Sequence, residues 1–385
     1  MKIPLRKIIR SDTILSLLVA IVWQVAMTVL LSRLRPDSAG IEPLYHMTQW
    51  DGGWYLAILK DWYTTNPAAA AFYPLFPFAI YLLQIVTFSV IPLPTLALLL
   101  NTICLWLALT AIIKITRHFV KEKTQLSILF LLASPAAFFL SLFYSEALFM
   151  AIAFWAYLFA LRKKWLAMGI LLGLLTANRL PSVLFIALCG LEFLRAYEWD
   201  PRKFFNKNIL FFLLAPLGFI IYGYYLFVAR GDFFAMFSAY HATNDWTYHA
   251  FEPNILIVIG ESLYEVLQVL QQDRVLDAGI IANYLAPLLC LFILLTTSLF
   301  LIVKVKGKGI PLGISGLLSF LLFTLNSNLV SIHRYILPCL GIYIALTVAY
   351  VKFKRTRVAI ISILLMMITT QVLLLLLKPF DYFVG

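Results

Sequence analysis

The sequence predicts an all-α protein, a polytopic membrane helix bundle forming one domain over residues 1–385, and three observations predict it. The 385 residues are 63% hydrophobic and only 12% charged, with a mean hydropathy of +0.93. A soluble chain of that size needs far more polar surface to cover its core. Apolar runs close to helix-spanning length recur from end to end, as in Thr13–Leu31, Thr95–Ile113 and Val358–Leu377. Finally, most basic residues sit in six short segments between such runs.

Those segments are Lys2/Arg6/Lys7/Arg10, Lys114/Arg117/Lys121/Lys123, Arg162/Lys163/Lys164, Arg195/Arg202/Lys203/Lys207, Lys304/Lys306/Lys308 and Lys352/Lys354/Arg355/Arg357. Together they hold 22 of the 30 Lys and Arg, so one assignment of the six to the cytoplasm satisfies the positive-inside rule throughout. The net charge of +12 is therefore a topology signal rather than a nucleic-acid footprint. Thirteen of the 18 carboxylates fall on the opposite side, Asp51, Glu146 and Asp245 among them. Acidic residues contribute little to orientation, so a polar working surface on that side is one reading and chance in long loops the other.

Taken in order, the basic Met1–Arg10 segment leads into a long apolar run without a small-residue cleavage site, which reads as the first membrane helix. Counting that run, three apolar segments precede the basic 114–123 loop, where an even number of crossings is needed. Segment Pro74–Val90, bounded by Pro74, Pro77, Pro92 and Pro94, is the one expected not to span. It becomes a juxtamembrane or re-entrant helix in a first external region over 34–94. Eleven spanning helices result, near 13–33, 95–115, 125–142, 146–161, 165–179, 182–199, 208–229, 280–303, 310–328, 335–351 and 358–377. The N-terminus is expected in the cytoplasm and the C-terminus outside. Cys104, Cys189, Cys290 and Cys339 all lie in apolar runs and show no disulfide or zinc spacing.

The external segments carry the candidate chemistry. The densest polar-aromatic cluster is His46-Met47-Thr48-Gln49-Trp50-Asp51-Gly52-Gly53-Trp54-Tyr55-Leu56, followed by Ala71-Phe72-Tyr73-Pro74-Leu75-Phe76-Pro77. Trp and Tyr beside a carboxylate suit a sugar or lipid headgroup, and the glycine pair permits close backbone approach. An interfacial aromatic belt is the plainer reading. Phe143-Tyr144-Ser145-Glu146 sets an acid at a helix start with almost no loop around it; that acid is functional, or it caps the helix, or both. Thr176-Ala177-Asn178-Arg179 and Ser331-Ile332-His333-Arg334-Tyr335 each place an arginine at an external helix end. Such arginines bind a phosphate-bearing lipid or simply snorkel. A second long external segment, 230–279, contains His241–His249 and then an amphipathic run, Ile255–Val269, expected to lie on the bilayer surface and help cover a cleft.

In this order, Trp50-Asp51-Gly52-Gly53-Trp54-Tyr55-Leu56, Phe72-Tyr73-Pro74-Leu75-Phe76-Pro77, Ser134-Pro135 through Tyr144-Ser145-Glu146, Thr176-Ala177-Asn178-Arg179 and Arg334-Tyr335 with Pro338 carry a resemblance. The chain resembles the PIG-V-like mannosyltransferases, the GPI mannosyltransferase II family, within the GT-C superfamily of polytopic membrane glycosyltransferases. It departs where Thr247 follows Trp246 in place of an arginine, and its shorter length points to a prokaryotic relative.

The resemblance implies a GT-C bundle with a large first external loop. It also implies inverting transfer of a hexose, expected to be mannose, from a polyprenyl-phosphate donor to a glycan or glycolipid acceptor. Asp51 matches the acidic residue at the reaction centre and is expected as general base, with His46 the weaker alternative. Glu146 is expected to bind sugar hydroxyls or to help hold a divalent metal, though no external Asp-x-Asp pair occurs. Arg334 and Arg179 are expected on the lipid phosphate, and Trp50, Trp54, Tyr55, Tyr144, His333 and Tyr335 around the substrate. A prokaryotic protein would sit in the cell membrane, a eukaryotic one in the endoplasmic reticulum. The rival from another class is a transporter or flippase of lipid-linked sugars, which usually carries ionisable residues near the midplane. The predicted spans have almost none, and no matching interrupted halves are evident. A non-catalytic subunit, indifferent to changes at Asp51, Glu146 and Arg334, is the third reading.

Overall fold

The computed structural model describes the backbone of residues 5–34, 44–241, 251–271 and 278–377. Among them the protein is all-helical, with no strand beyond an isolated bridge between Phe251 and Asn326. The α-helices are, in order, α1 (Leu5–Leu34), α2 (Asp51–Asp61), α3 (Leu75–Val86), α4 (Leu93–Thr116), α5 (Leu126–Leu132), α6 (Glu146–Leu161), α7 (Trp165–Thr176), α8 (Ser182–Ala196) and α9 (Pro201–Phe204). There follow α10 (Leu217–Arg230), α11 (Ala235–Ser238), α12 (Ile255–Gln271), α13 (Ala278–Ile280), α14 (Ala286–Phe300), α15 (Ile310–Thr324), α16 (Ile332–Ile336), α17 (Leu340–Lys352) and α18 (Arg357–Leu377).

Among the described residues, six helical stretches are long and apolar enough to cross a bilayer: Ser11–Leu34, Leu93–Thr116, Lys207–Arg230, Ile281–Val305, Gly307–Thr324 and Lys354–Leu376. Four apolar helices are shorter, namely α3, α6, α7 and α17. At about 1.5 Å per residue, α3 rises about 18 Å, well short of a hydrocarbon core of about 30 Å. This is a helical membrane bundle, a multi-pass architecture.

Besides 208–229, which is a 3-10 helix followed by α10, two of the expected spans are not continuous helices. Segment 125–142 yields only α5, then a turn at Ser134-Pro135 and a 3-10 stretch over Ala137–Ser141. Segment 335–351 is divided between α16 and α17 beside Pro338. In each case the proline lacks an N–H and disfavours a helical conformation in the residue before it. In a membrane the freed groups need partners. Gln24 and Asn101 supply them at the first break, donating to Leu140 O at 3.0 Å and Leu142 O at 2.6 Å. Gln371 Nε2 donates to Ser134 O at 2.9 Å.

The chain divides into two compact units and passes between them repeatedly. One comprises 1–115, 139–189 and 196–243; the other comprises 116–138, 190–195 and 244–385. In the first unit, α7 packs on α6 and on the 207–230 stretch. That stretch is a 3-10 helix over Lys207–Leu214 and then α10, broken at Pro216. The Thr176 hydroxyl repairs the break, donating to Ala215 O at 2.7 Å and accepting from Phe219 N at 3.3 Å.

The close approach depends on glycines of the small-xxx-small kind, Gly169 on α7 against the Phe211 backbone and Gly173 against Leu214 O and Gly218. A Cβ on Gly173 would lie 2.7 Å from Leu214 O, and one on Gly218 would collide with Gly173 O and sit 2.6 Å from Ala177 N. These contacts are backbone and cannot swing aside. Gly218→Val should therefore cost about 1–3 kcal/mol or more, as overpacking does, and lower the melting temperature in detergent. An unchanged melting curve would mean the two helices are not in this contact. In the second unit, α15 uses the same device against α14, with Gly313 over Ser298 O and Gly316 over the Ser298 side chain.

The amphipathic run forms the expected helix, α12. Val258, Ser262 and Val269 are buried, while Leu256, Leu263, Tyr264 and Leu267 are exposed.

Candidate functional site

Asp51 is presented by a strained turn. After the 3-10 stretch Tyr45–Thr48, Trp50 takes φ 58° and ψ −121°, and Gly52 N donates to Gln49 O at 3.2 Å. That is a type II′ turn with tryptophan at the position glycine normally fills. The conformation costs about 1–3 kcal/mol and persists only where surrounding contacts over-determine it. Those contacts are visible. Phe143 N donates to Met47 O at 3.0 Å and Tyr144 Oη to Gln49 O at 3.0 Å, which fastens segment 143–146 to the turn. Gly52 makes the fit possible, since a Cβ there would already stand 3.3 Å from Phe143 Cβ. Asp51 then opens α2, where the helix N-terminus favours a negative charge.

One turn further along α2, Tyr55 is buried and donates to Ser145 Oγ at 2.9 Å. Its ring meets Phe72 and Phe76 edge-on, and Trp54 stacks on Phe72 with centroids 5.6 Å apart at 14°. Burial pushes the Tyr55 hydroxyl well above the ordinary phenol range. Arg179 opposes that, the Asp51 and Glu146 carboxylates add to it, and the bond to Ser145 opposes it again. The hydroxyl is therefore a proton donor at any physiological pH. It also joins α2 to α6, because Ser145, which accepts its bond, directly precedes Glu146.

Glu146 is the first residue of α6 and is wholly buried. Its Oε1 accepts from Arg179 Nη1 in an ion pair. Arg179 lies in the turn between α7 and α8 with its side chain only 14% exposed, so it does not snorkel to water. The preceding Ser145 makes no side-chain cap, its hydroxyl being engaged by Tyr55. The sequence reading had Arg179 reach for a phosphate and Glu146 for sugar hydroxyls separately. In the structure the two are partners.

The loop after α2 is tethered by α10. Tyr222 donates to Ala70 O at 2.8 Å, Tyr225 to Trp62 O at 2.7 Å, and Arg230 to Tyr63 O and Asn66 O. This holds Phe72, and through it the Trp54 stack. Trp50 itself is 41% exposed beside Asp51. A region with Tyr55 and Tyr144 fully buried and specifically bonded is not an aromatic belt.

His333, Arg334 and Tyr335 belong to α16 in the second unit. His333 and Arg334 are buried, and Tyr335 stacks on Phe323 with centroids 6.0 Å apart. The His46 side chain and residues 242–250 lie outside the described residues. Among the described residues no group of three or more His, Cys, Asp and Glu is placed to hold a metal. Ser145, Asn178 and Phe72 stand within the sequence motifs, Ser145 there as a helix-cap candidate beside Glu146 and the other two without a role of their own, whereas no local signal marks Tyr222.

Fold and site together define a multi-pass helical membrane protein with a buried carboxylate–arginine–tyrosine cluster beside a strained acidic turn. No protein-family model matches the chain, and no curated protein or solved structure matches it either.

Proposed function

We propose that this protein is a membrane glycosyltransferase that moves a hexose, mannose by the resemblance to PIG-V-like enzymes, from a polyprenyl-phosphate donor to a glycan or glycolipid acceptor. The observation that carries the reading is the buried Glu146–Arg179 ion pair next to Ser145, whose hydroxyl takes the Tyr55 bond one turn along α2 from Asp51. Structural residues that merely end helices have no reason to converge.

Helix α6 supports an external placement of the cluster. It begins at Glu146 and runs for 16 residues to the basic Arg162-Lys163-Lys164 loop, a rise of about 24 Å. With basic loops inside, the cluster faces outward. Grouping of the basic loops supports this: Lys308 Nζ lies 3.4 Å from His118 O, and Lys123 and Arg357 both sit over the Tyr350 ring. The reading takes the bundle as GT-C-like with eleven crossings, N-terminus inside and C-terminus outside, and α12 resting its exposed apolar stripe on the bilayer surface.

In the reaction, Asp51 takes the proton of the acceptor hydroxyl while that oxygen bonds to the anomeric carbon. The bond from that carbon to the phosphate oxygen breaks, and polyprenyl phosphate leaves with the electron pair. The leaving group is already a stabilised anion, so no general acid is needed. Attack from the face opposite the phosphate inverts the centre. Glu146 holds the Arg179 guanidinium in place, and that guanidinium is assigned to the charge developing on the phosphate.

The test is transfer itself. Purified protein in nanodiscs, given labelled polyprenyl-phosphate mannose and native membrane extract, should yield a mannosylated product identified by mass. Movement of the lipid-linked sugar across proteoliposomes without any product would instead make the chain a transporter.

A further inference from the structure

Asn178 lies between two anchored residues. Ala177 O accepts from Leu75 N at 3.0 Å, holding the start of α3, and Arg179 pairs with Glu146. The Asn178 side chain between them is wholly buried, and neither its Oδ1 nor its Nδ2 has a hydrogen-bond partner among the described residues. Buried carboxamides are almost always bonded, because each unmet donor or acceptor forfeits its hydration. Leucine, of nearly the same shape, would carry no such penalty. A second buried polar atom without a partner, Tyr73 Oη, belongs to the same junction, two residues before Leu75.

We propose that Asn178 is a specificity-determining residue for the donor sugar, its carboxamide pairing with two neighbouring hydroxyls of a hexose held beside the Glu146–Arg179 pair. The inference rests on the transferase reading above. A carboxamide offers one donor group and one acceptor in a single plane, which complements two adjacent hydroxyls. A carboxylate accepts only, and an ammonium donates only. A site built around such a pairing rejects a ligand without the hydroxyls, because its own groups then stay unmet. The bare Asn178 amide is in that unmet condition.

The experiment compares full-length wild type with Asn178→Leu in nanodiscs. Each is melted with no lipid, with polyprenyl phosphate lacking sugar, and with polyprenyl-phosphate mannose. Ligand stabilisation follows the ratio of ligand concentration to Kd, so the two lipids separate headgroup binding from sugar binding. The leucine variant should melt at or above the wild-type temperature without ligand and gain as much from sugar-free lipid. Its additional gain from the mannosyl donor should vanish, with Kd for that donor weaker by about tenfold or more. A merely structural asparagine gives the opposite pattern, a lower melting point with the sugar-dependent gain intact, and that overturns the proposal. If Asn178→Leu does not fold, the smaller Asn178→Ala is read the same way. A wild type that shows no sugar-dependent gain with any polyprenyl-phosphate hexose overturns the transferase reading, and this inference with it.

Discussion

Asp51→Asn should leave a protein that folds, inserts and binds donor, yet transfers mannose about two to four orders of magnitude more slowly, the usual contribution of a positioned base. The fold should survive because the amide matches the carboxylate in volume. The turn that presents residue 51 is also closed by backbone bonds, Gly52 N to Gln49 O at 3.2 Å and Gly53 N to Trp50 O at 2.9 Å. Tyr55 is held protonated, chiefly by its burial, and Glu146 is committed to Arg179. His46→Gln, by contrast, should transfer at close to the normal rate. The measurement is initial velocity with saturating labelled donor, alongside melting temperature. Asp51→Asn transferring at nearly the wild-type rate would remove Asp51 from the role of base.

How much of this was legible in the sequence differs by the range of the interaction involved. Local periodicity announced α6, which begins at Glu146 and ends at Leu161 as expected, and the amphipathic α12. It also announced α3 as a short helix set apart by prolines. Hydropathy misled where an apolar run hides a break. Segment 125–142 reads as one span, yet Pro135 within it stops α5 at Leu132, because residue type sets burial while proline sets the hydrogen-bond ladder. At the site, Asp51, Tyr55, Glu146 and Arg179 each stood out by type and place. Their pairing did not, since Arg179 meets Glu146 across 33 residues of chain and Tyr55 meets Ser145 across 90. Nothing local encodes such contacts. The packing of Gly169 against the Phe211 backbone and of Gly173 against Gly218 was invisible for the same reason.

The Glu146–Arg179 pair should show its nature in a double-mutant cycle. Glu146 is wholly buried and Arg179 nearly so, which means that both charges left water on folding and that each is supported by the other. Glu146→Leu leaves a buried guanidinium without its carboxylate, and Arg179→Met leaves a buried carboxylate without its guanidinium. Each single change should destabilise by about 3–5 kcal/mol, because an uncompensated buried charge costs far more than a pair contributes. The double variant Glu146→Leu/Arg179→Met should recover most of that loss, since apolar side chains of similar volume often replace a buried ion pair at little cost. Stability in detergent should therefore return in the double variant. Transfer should not, because the recovered fold has lost the donors that face the phosphate. Losses that simply add would show that the two charges do not depend on each other. A double variant that recovers activity with stability would make the pair a structural clamp, with the chemistry resting on Asp51 and other cations.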